Sequence, residues 1–191
     1  MRKSKAEAAE TRERIVDTAS AVFRRQGIAA TGLADLMGAA GLTHGGFYKH
    51  FSSKEQLVAE ASTRAIEQMS DKLESAIKKG RKGTPLQRAV DAYLSTDHLA
   101  HPEMGCPLAA LGPELAREGQ MVRKATGDGL ADLLGVFRQH AEHSDSVVTL
   151  AALVGAMTLA RVAPNASAAN DIIEQVRAHL HAHLSSTEAN A

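Results

Sequence analysis

Apolar residues recur along this chain at three- and four-residue intervals, the spacing that puts them on one face of a helix. Ile15, Val16, Ala19, Val22 and Phe23 trace such a face from about Thr11, and Gly27 closes the segment. The shorter run Leu33, Leu36 and Met37 follows. A long helix is predicted from Ser53, with Leu57, Val58, Ala61, Ala65, Ile66, Met69, Leu73 and Ile77 along it. It ends at Lys78-Lys79-Gly80-Arg81-Lys82-Gly83, where cations meet the negative pole of the helix and glycines release the chain. Thr84-Pro85-Leu86-Gln87 restarts it as a capping box with proline at the first helical position. Leu86, Ala89, Val90, Tyr93 and Leu94 mark that helix, and Leu108, Leu111 and Leu115 mark the next. Val122, Ala125, Leu130, Leu133, Leu134 and Phe137 mark another, loosened or kinked at Gly127-Asp128-Gly129. Two further helices are predicted at about 146–162 and 167–184, the first apolar nearly all round. Apolar on both sides, it needs two partners. Pairing of the last two helices with their copies in a second subunit would supply the missing one.

Between the short run and the long helix lies Gly41-Leu42-Thr43-His44-Gly45-Gly46-Phe47-Tyr48-Lys49-His50-Phe51-Ser52-Ser53-Lys54. Gly41 can take the left-handed conformation that ends a helix, and Thr43 is placed to cap a second short one. Two short helices across a tight glycine turn make a helix-turn-helix. Gly45 and Gly46 each cost that second helix roughly 1 kcal/mol relative to alanine. Tandem glycines suggest that a partner's backbone comes close. Phe47 and Phe51, four apart, point inward together and leave Thr43, His44, Tyr48, Lys49 and His50 for the outer face, where they suit phosphates and base edges. Ser52-Ser53-Lys54-Glu55 is expected to cap the long helix with Ser52 as N-cap, giving an anion-attracting helix start that carries Lys54.

The run from Thr31 to Leu57, with Ala40-Gly41-Leu42, Gly46-Phe47-Tyr48, His50-Phe51 and Ser53-Lys54-Glu55, resembles the DNA-binding domain of TetR-family transcriptional repressors. The resemblance implies base or phosphate contacts from Thr43, His44, Gly45 and Gly46, phosphate contacts from Tyr48, Lys49 and His50, and one at the helix start at Lys54. Gly32 stands where relatives commonly have a second Ser or Thr, so capping of the first motif helix, and any contact there, falls to Thr31. The expected architecture is all-α: an arm and three-helix helix-turn-helix domain at 1–54, then a helical-bundle ligand-binding and dimerisation domain at 55–191. The expected partners are a palindromic double-stranded DNA operator, a second copy of the chain and a small-molecule inducer. No cofactor is expected.

At 191 residues and 44% hydrophobic the chain can bury a proper core. Its formal net charge is zero, yet nine Lys/Arg stand against five Asp/Glu through residue 54, a surplus of +4 balanced by −4 beyond. A basic head on an acidic body fits local contact with DNA. Residues 1–10 are read as a basic arm, either a solvated tail or a contact to the DNA backbone. No apolar segment follows Met1-Arg2-Lys3-Ser4-Lys5, so no signal peptide is expected and the location is read as cytoplasmic. The longest apolar run, 147–160, is too short to span a bilayer. No nucleophile triad, phosphate loop or carboxylate pair stands at recognisable spacing, which argues against an enzyme. A helical ligand-binding protein without DNA activity is the remaining rival.

The single cysteine excludes an intrachain disulfide. Pro107 at a first helical position puts Cys106 at the N-cap, where the helix dipole would lower its pKa; it is otherwise a small buried hydrophobe. A Gly-Cys pair opening this helix resembles the pattern of TetR-type regulators that sense oxidants or electrophiles. Tyr93 and His98 are expected to line a modest, largely apolar inducer pocket. His98, His101 and Cys106, with Glu103, could alternatively hold a metal ion, although their spacing matches no tight motif. The tail histidines His179, His181 and His183 are expected to be solvated.

Overall fold

The computed structural model describes residues 5–140 and 143–188, and every regular element among them is helical. The head comprises α1 (Lys5–Gln26), α2 (Leu33–Ala39) and a short 3-10 helix (His44–Lys49). Helix α1 begins at Lys5, so residues 5–10 of the expected arm are helix; residues 1–4 lie outside the described residues. Gly27 ends α1 at φ 90° and Gly41 makes the motif turn at φ 71°, both left-handed as their positions require.

Helix α3 (Lys54–Lys79) leaves the head and forms the spine of the body, about 39 Å long at 1.5 Å per residue. Its N-cap is Ser53 rather than Ser52: the Ser53 hydroxyl accepts from the Gln56 amide at 3.1 Å, and the Gln56 side chain accepts from the Ser52 amide at 2.8 Å. The cap thus lies one residue along from the expected one, and Gln56 reaches past it to the preceding amide. The remaining helices are α4 (Pro85–Tyr93), α5 (Thr96–Ala100), α6 (Pro107–Leu115), α7 (Gln120–Arg138), α8 (His143–Arg161) and α9 (Ala166–Glu188), with a 3-10 turn at Pro102–Met104. Thr84 and Gln87 form the expected capping box at α4.

Helix α7 is continuous through Gly127-Asp128-Gly129, where loosening was expected. Gly129 is buried against Ile66 of α3, and a Cβ there would come within 2.7 Å of the Ile66 Cδ1. The glycine lets two helices approach closely; it does not soften one.

Two apolar clusters organise the chain. The body cluster gathers Met69, Leu73, Tyr93, Cys106, Phe137 and Leu153, among others. The head cluster joins Ile15, Phe23, Leu36, Phe47 and Phe51 to Leu57 and Val58 of α3, and it also takes in Leu111 and Leu115 of α6 and Val122 of α7. The head's core therefore continues past residue 54 and is shared with the body. Helix α8 buries Leu150, Leu153, Ala156, Met157 and Ala160, yet leaves Val147, Val148 and Leu159 exposed, with Val162 exposed just beyond its end. No helix among the described residues is long and apolar enough to cross a membrane.

Candidate nucleic-acid interface

The segment after the motif turn is held from beneath by aromatic packing. Phe47 is fully buried and Phe51 is 2% exposed; their rings stack at 5.6 Å, and Tyr48 meets Phe47 edge-on at 5.1 Å. The guanidinium of Arg12 covers the Phe51 ring at 4.6 Å. This anchoring turns Thr43, His44, Gly45, Tyr48 and Lys49 outward, with Gly46 and His50 half-buried beside them. Tyr48 is 66% exposed, so beyond its edge contact with Phe47 most of the ring and its hydroxyl stand in water. A Cβ on Gly45 would meet nothing, so open space lies over that glycine, whereas one on Gly46 would touch Met37 and Thr43. The helix is 3-10, and exposed Thr43 precedes it in extended conformation without a side-chain capping bond, so no cap holds its hydroxyl. A hydroxyl, a phenol, an imidazole and an ammonium exposed along one short segment are partners for phosphate oxygens and base edges.

Two predicted residues lie behind this face. Thr31 is 1% exposed and its hydroxyl donates to the Gly27 carbonyl at 2.6 Å. It therefore offers no contact, and the N-cap of α2 is Gly32, which has no side chain to cap with. Lys54 donates from Nζ to the carbonyls of Ile28 at 2.8 Å and Thr31 at 2.7 Å, which leaves one N–H for any outside acceptor.

The predicted sensor residues come together, but inside the body's core. Tyr93 and Cys106 are fully buried and His98 is 1% exposed. His98 Nε2 accepts the Cys106 amide at 3.0 Å, so the ring proton sits on Nδ1, which donates to the Tyr93 carbonyl at 2.6 Å. Both ring nitrogens are thus engaged and neither can take a metal. No group of three potential ligands is assembled for a metal among the described residues, and His101 is exposed beside Glu103 and Asp97. Burial, the largest influence, holds the His98 pKa down at about 4. Cys106 is the N-cap of α6 as expected, yet its thiol makes no capping bond. Burial pushes its pKa up, against the lowering a dipole alone would give; the Tyr93 hydroxyl, the Ala109 and Leu108 amides and Arg161 offset this only in part. Arg161 donates to the His98 carbonyl at 2.8 Å.

Open volume lies elsewhere. A groove of about 360 Å³ runs between α3 and α7, lined by Ile66 and Ala125 but also by Glu67, Asp71, Asp128 and Asp132. It carries four carboxylates beside its apolar wall and does not involve Tyr93 or His98. Among the tail histidines, His179 and His183 are exposed as expected, whereas His181 lies 3.0 Å from Asp91.

Residues 15–61 match the family described as bacterial regulatory proteins, tetR family. The chain is 46% identical over 59 residues to the HTH-type transcriptional regulator AcrR of Shigella flexneri, covering 31% of this chain and 27% of that one. It is 37% identical over 86 residues to TtgR of Pseudomonas putida, 45% of this chain and 40% of that one. The matched stretches thus span well under half of these relatives. An uncharacterized HTH-type transcriptional regulator of Mycobacterium tuberculosis is 29% identical over 91% of this chain and 95% of its own. A TetR transcriptional regulator from Chloroflexus aurantiacus superposes with TM-score 0.75 at 26% identity, covering 94% of this chain and 96% of that one. Reduced Escherichia coli NemR shares the fold with TM-score 0.70 at 22% identity over 90% of this chain and 95% of its own. All of these relatives named for an activity are regulators, not enzymes.

Proposed function

The chain belongs to the TetR family of bacterial regulatory proteins, and on that premise we propose that it is a cytoplasmic transcriptional repressor that binds a palindromic operator as a homodimer. The observation that carries this reading is the exposed row Thr43, His44, Gly45, Tyr48 and Lys49 backed by fully buried Phe47. Thr43, His44, Gly45 and Gly46 contact bases or phosphates; Tyr48, Lys49 and His50 hold phosphates; Lys54 adds one bond from the start of α3. A second copy covers the apolar face of α8 around Val148, which is 63% exposed, and Leu159, which is 57% exposed. The small residues Ala151 and Gly155 between them allow close approach of two helices. The heads then enter successive major grooves about 34 to 36 Å apart.

The test is retention of a duplex selected by the purified protein from a random-sequence pool. Two chains per duplex are expected by ultracentrifugation, and one chain per duplex would overturn the dimer. Lys49→Ala should weaken binding to all sequences and flatten the salt dependence by about one unit per head. An unchanged slope would remove Lys49 from the phosphate contacts.

Release comes from a small-molecule inducer or from modification of Cys106. A thiol enclosed this completely reacts only when the core around Tyr93 and His98 opens, so modification and loss of packing are one event. Cys106→Ser should keep operator affinity and abolish release by hydrogen peroxide or by an electrophile such as N-ethylmaleimide. Release that persists in the variant would make the cysteine plain core.

A further inference from the structure

Helix α6 touches the head at both of its ends. Just before its start, the Gly105 carbonyl accepts from Nη1 of Arg24 on α1 at 2.7 Å. Arg24 is itself fixed: Nε donates to the Ser20 backbone carbonyl at 3.0 Å, and Nη2 donates to the Ser20 hydroxyl at 3.1 Å and to Oε1 of the Gln68 side chain at 2.9 Å. At the far end, one oxygen of Glu114 accepts the backbone amides of Ile28 at 2.8 Å and Ala29 at 3.0 Å. Those amides belong to the turn between α1 and α2, directly behind the helix-turn-helix.

The same turn is gripped from its other side. Its carbonyls at Ile28 and Thr31 receive the Lys54 ammonium, and Thr31 closes it internally onto Gly27. Glu114 thus holds the donors of the turn and Lys54 its acceptors, so five residues of backbone are fixed between a body helix and the root of α3. Gly27 has φ 90°, and a Cβ there would come within 3.0 Å of a Glu114 oxygen, so the carboxylate sits against the bare backbone. Charge-assisted bonds to two adjacent amides are strong and directional.

We propose that Glu114 is a positioning residue for operator recognition: through the Ile28 and Ala29 amides it sets the angle of the head on the body, and with it the separation of the two heads in the dimer. The inference rests on the DNA-binding reading above. A single head can meet a single half-site by rotating the whole protein. Two heads joined through their bodies can meet two half-sites only at one relative angle. Glu114 therefore matters for the palindrome and not for the half-site. Helix α6 carries Cys106 at one end and Glu114 at the other, so a displacement of this short rod reaches the head directly.

The experiment uses the full chain, with Glu114→Ala and Glu114→Gln beside the unaltered protein. The probes are a palindromic duplex recovered by the unaltered protein from a random-sequence pool and a duplex holding one half of it. Amide hydrogen exchange is followed at Ile28 and Ala29. In Glu114→Ala both amides should exchange about tenfold faster or more, and palindrome affinity should fall about tenfold, the scale of losing hydrogen bonds to a charged group. Half-site affinity should stay within about twofold. Glu114→Gln keeps an acceptor oxygen without the charge and should lie between. Faster exchange with unchanged palindrome affinity would overturn the proposal. So would a parallel loss on both duplexes, which would mean that Glu114 serves the head's own fold. Unchanged exchange would show that the turn does not depend on the carboxylate. If the unaltered protein retains no duplex of any kind, the DNA-binding reading itself falls, a result distinct from each of these.

Discussion

Acidification from pH 7.5 to pH 4 is expected to remove about 3 kcal/mol of folding stability through His98 alone. The folded imidazole holds its proton only at about pH 4, because burial penalises the cation most. Its acceptor nitrogen is also already turned toward the Cys106 amide, and a proton placed there would set one donor against another. The unfolded histidine titrates near its ordinary value of about 6.5. Between these values the unfolded state binds the extra proton, so stability rises with pH across the window. The contribution is complete above about pH 6.5 and is lost as pH falls toward 4. Denaturant midpoints at pH 7.5, 6, 5 and 4, at one protein concentration, are the measurement. His98→Leu provides the comparison: it starts lower at pH 7.5, since it orphans the Cys106 amide, but it should lose about 3 kcal/mol less on acidification. Parallel curves for the two proteins would mean that His98 takes up its proton without unfolding.

The same residue shows where sequence pattern stops being informative. The helix-turn-helix is legible because its signals are short-range: Gly41 at the turn, Phe47 and Phe51 four apart, and polar residues between them. The N-cap position of Cys106 is legible for the same reason, since Pro107 follows it. What the thiol experiences there is not local. Tyr93, Arg161 and the helices of the body remove it from water, and that desolvation outweighs the dipole. Tyr93 and His98 lie beside Cys106 as interlocked core rather than as the lining of a pocket. The acidic groove joins Glu67 and Asp71 on α3 to Asp128 and Asp132 on α7, residues some sixty positions apart with no shared motif. Glu114 leaves no trace at all in the sequence, because its partners are backbone amides that any residue but proline at 28 or 29 would present. Gly129 misleads because a glycine inside a helical pattern suggests looseness, whereas this one admits Ile66.

Phe47→Ala is expected to destabilise the protein by about 3 to 5 kcal/mol, the usual scale for emptying a buried phenylalanine site, and to abolish operator binding even where the rest of the chain stays folded. The ring is fully enclosed, stacked on Phe51 and abutting Tyr48. It supports a helix that has little stability of its own. The segment is six residues long, is wound as a 3-10 helix with its poorer hydrogen-bond geometry, and carries two glycines that each cost roughly 1 kcal/mol. Nothing local keeps His44 to Lys49 in one conformation, so the outward row exists because Phe47 is pinned beneath it. The two apolar clusters of the chain meet through α3, and the body cluster contains no residue of this segment. Loss of Phe47 should therefore lower the denaturant midpoint and erase retention of the selected duplex, while far-UV circular dichroism at low temperature keeps most of its helical signal from α3 to α9. Tyr48→Phe is the matched contrast: exposed, it should cost little stability, and it should weaken binding only by the loss of its hydroxyl. If the folded Phe47→Ala protein retains the duplex as well as the unaltered chain, then the buried ring serves only the core, and the orientation of the exposed row is set by something other than the packing beneath it.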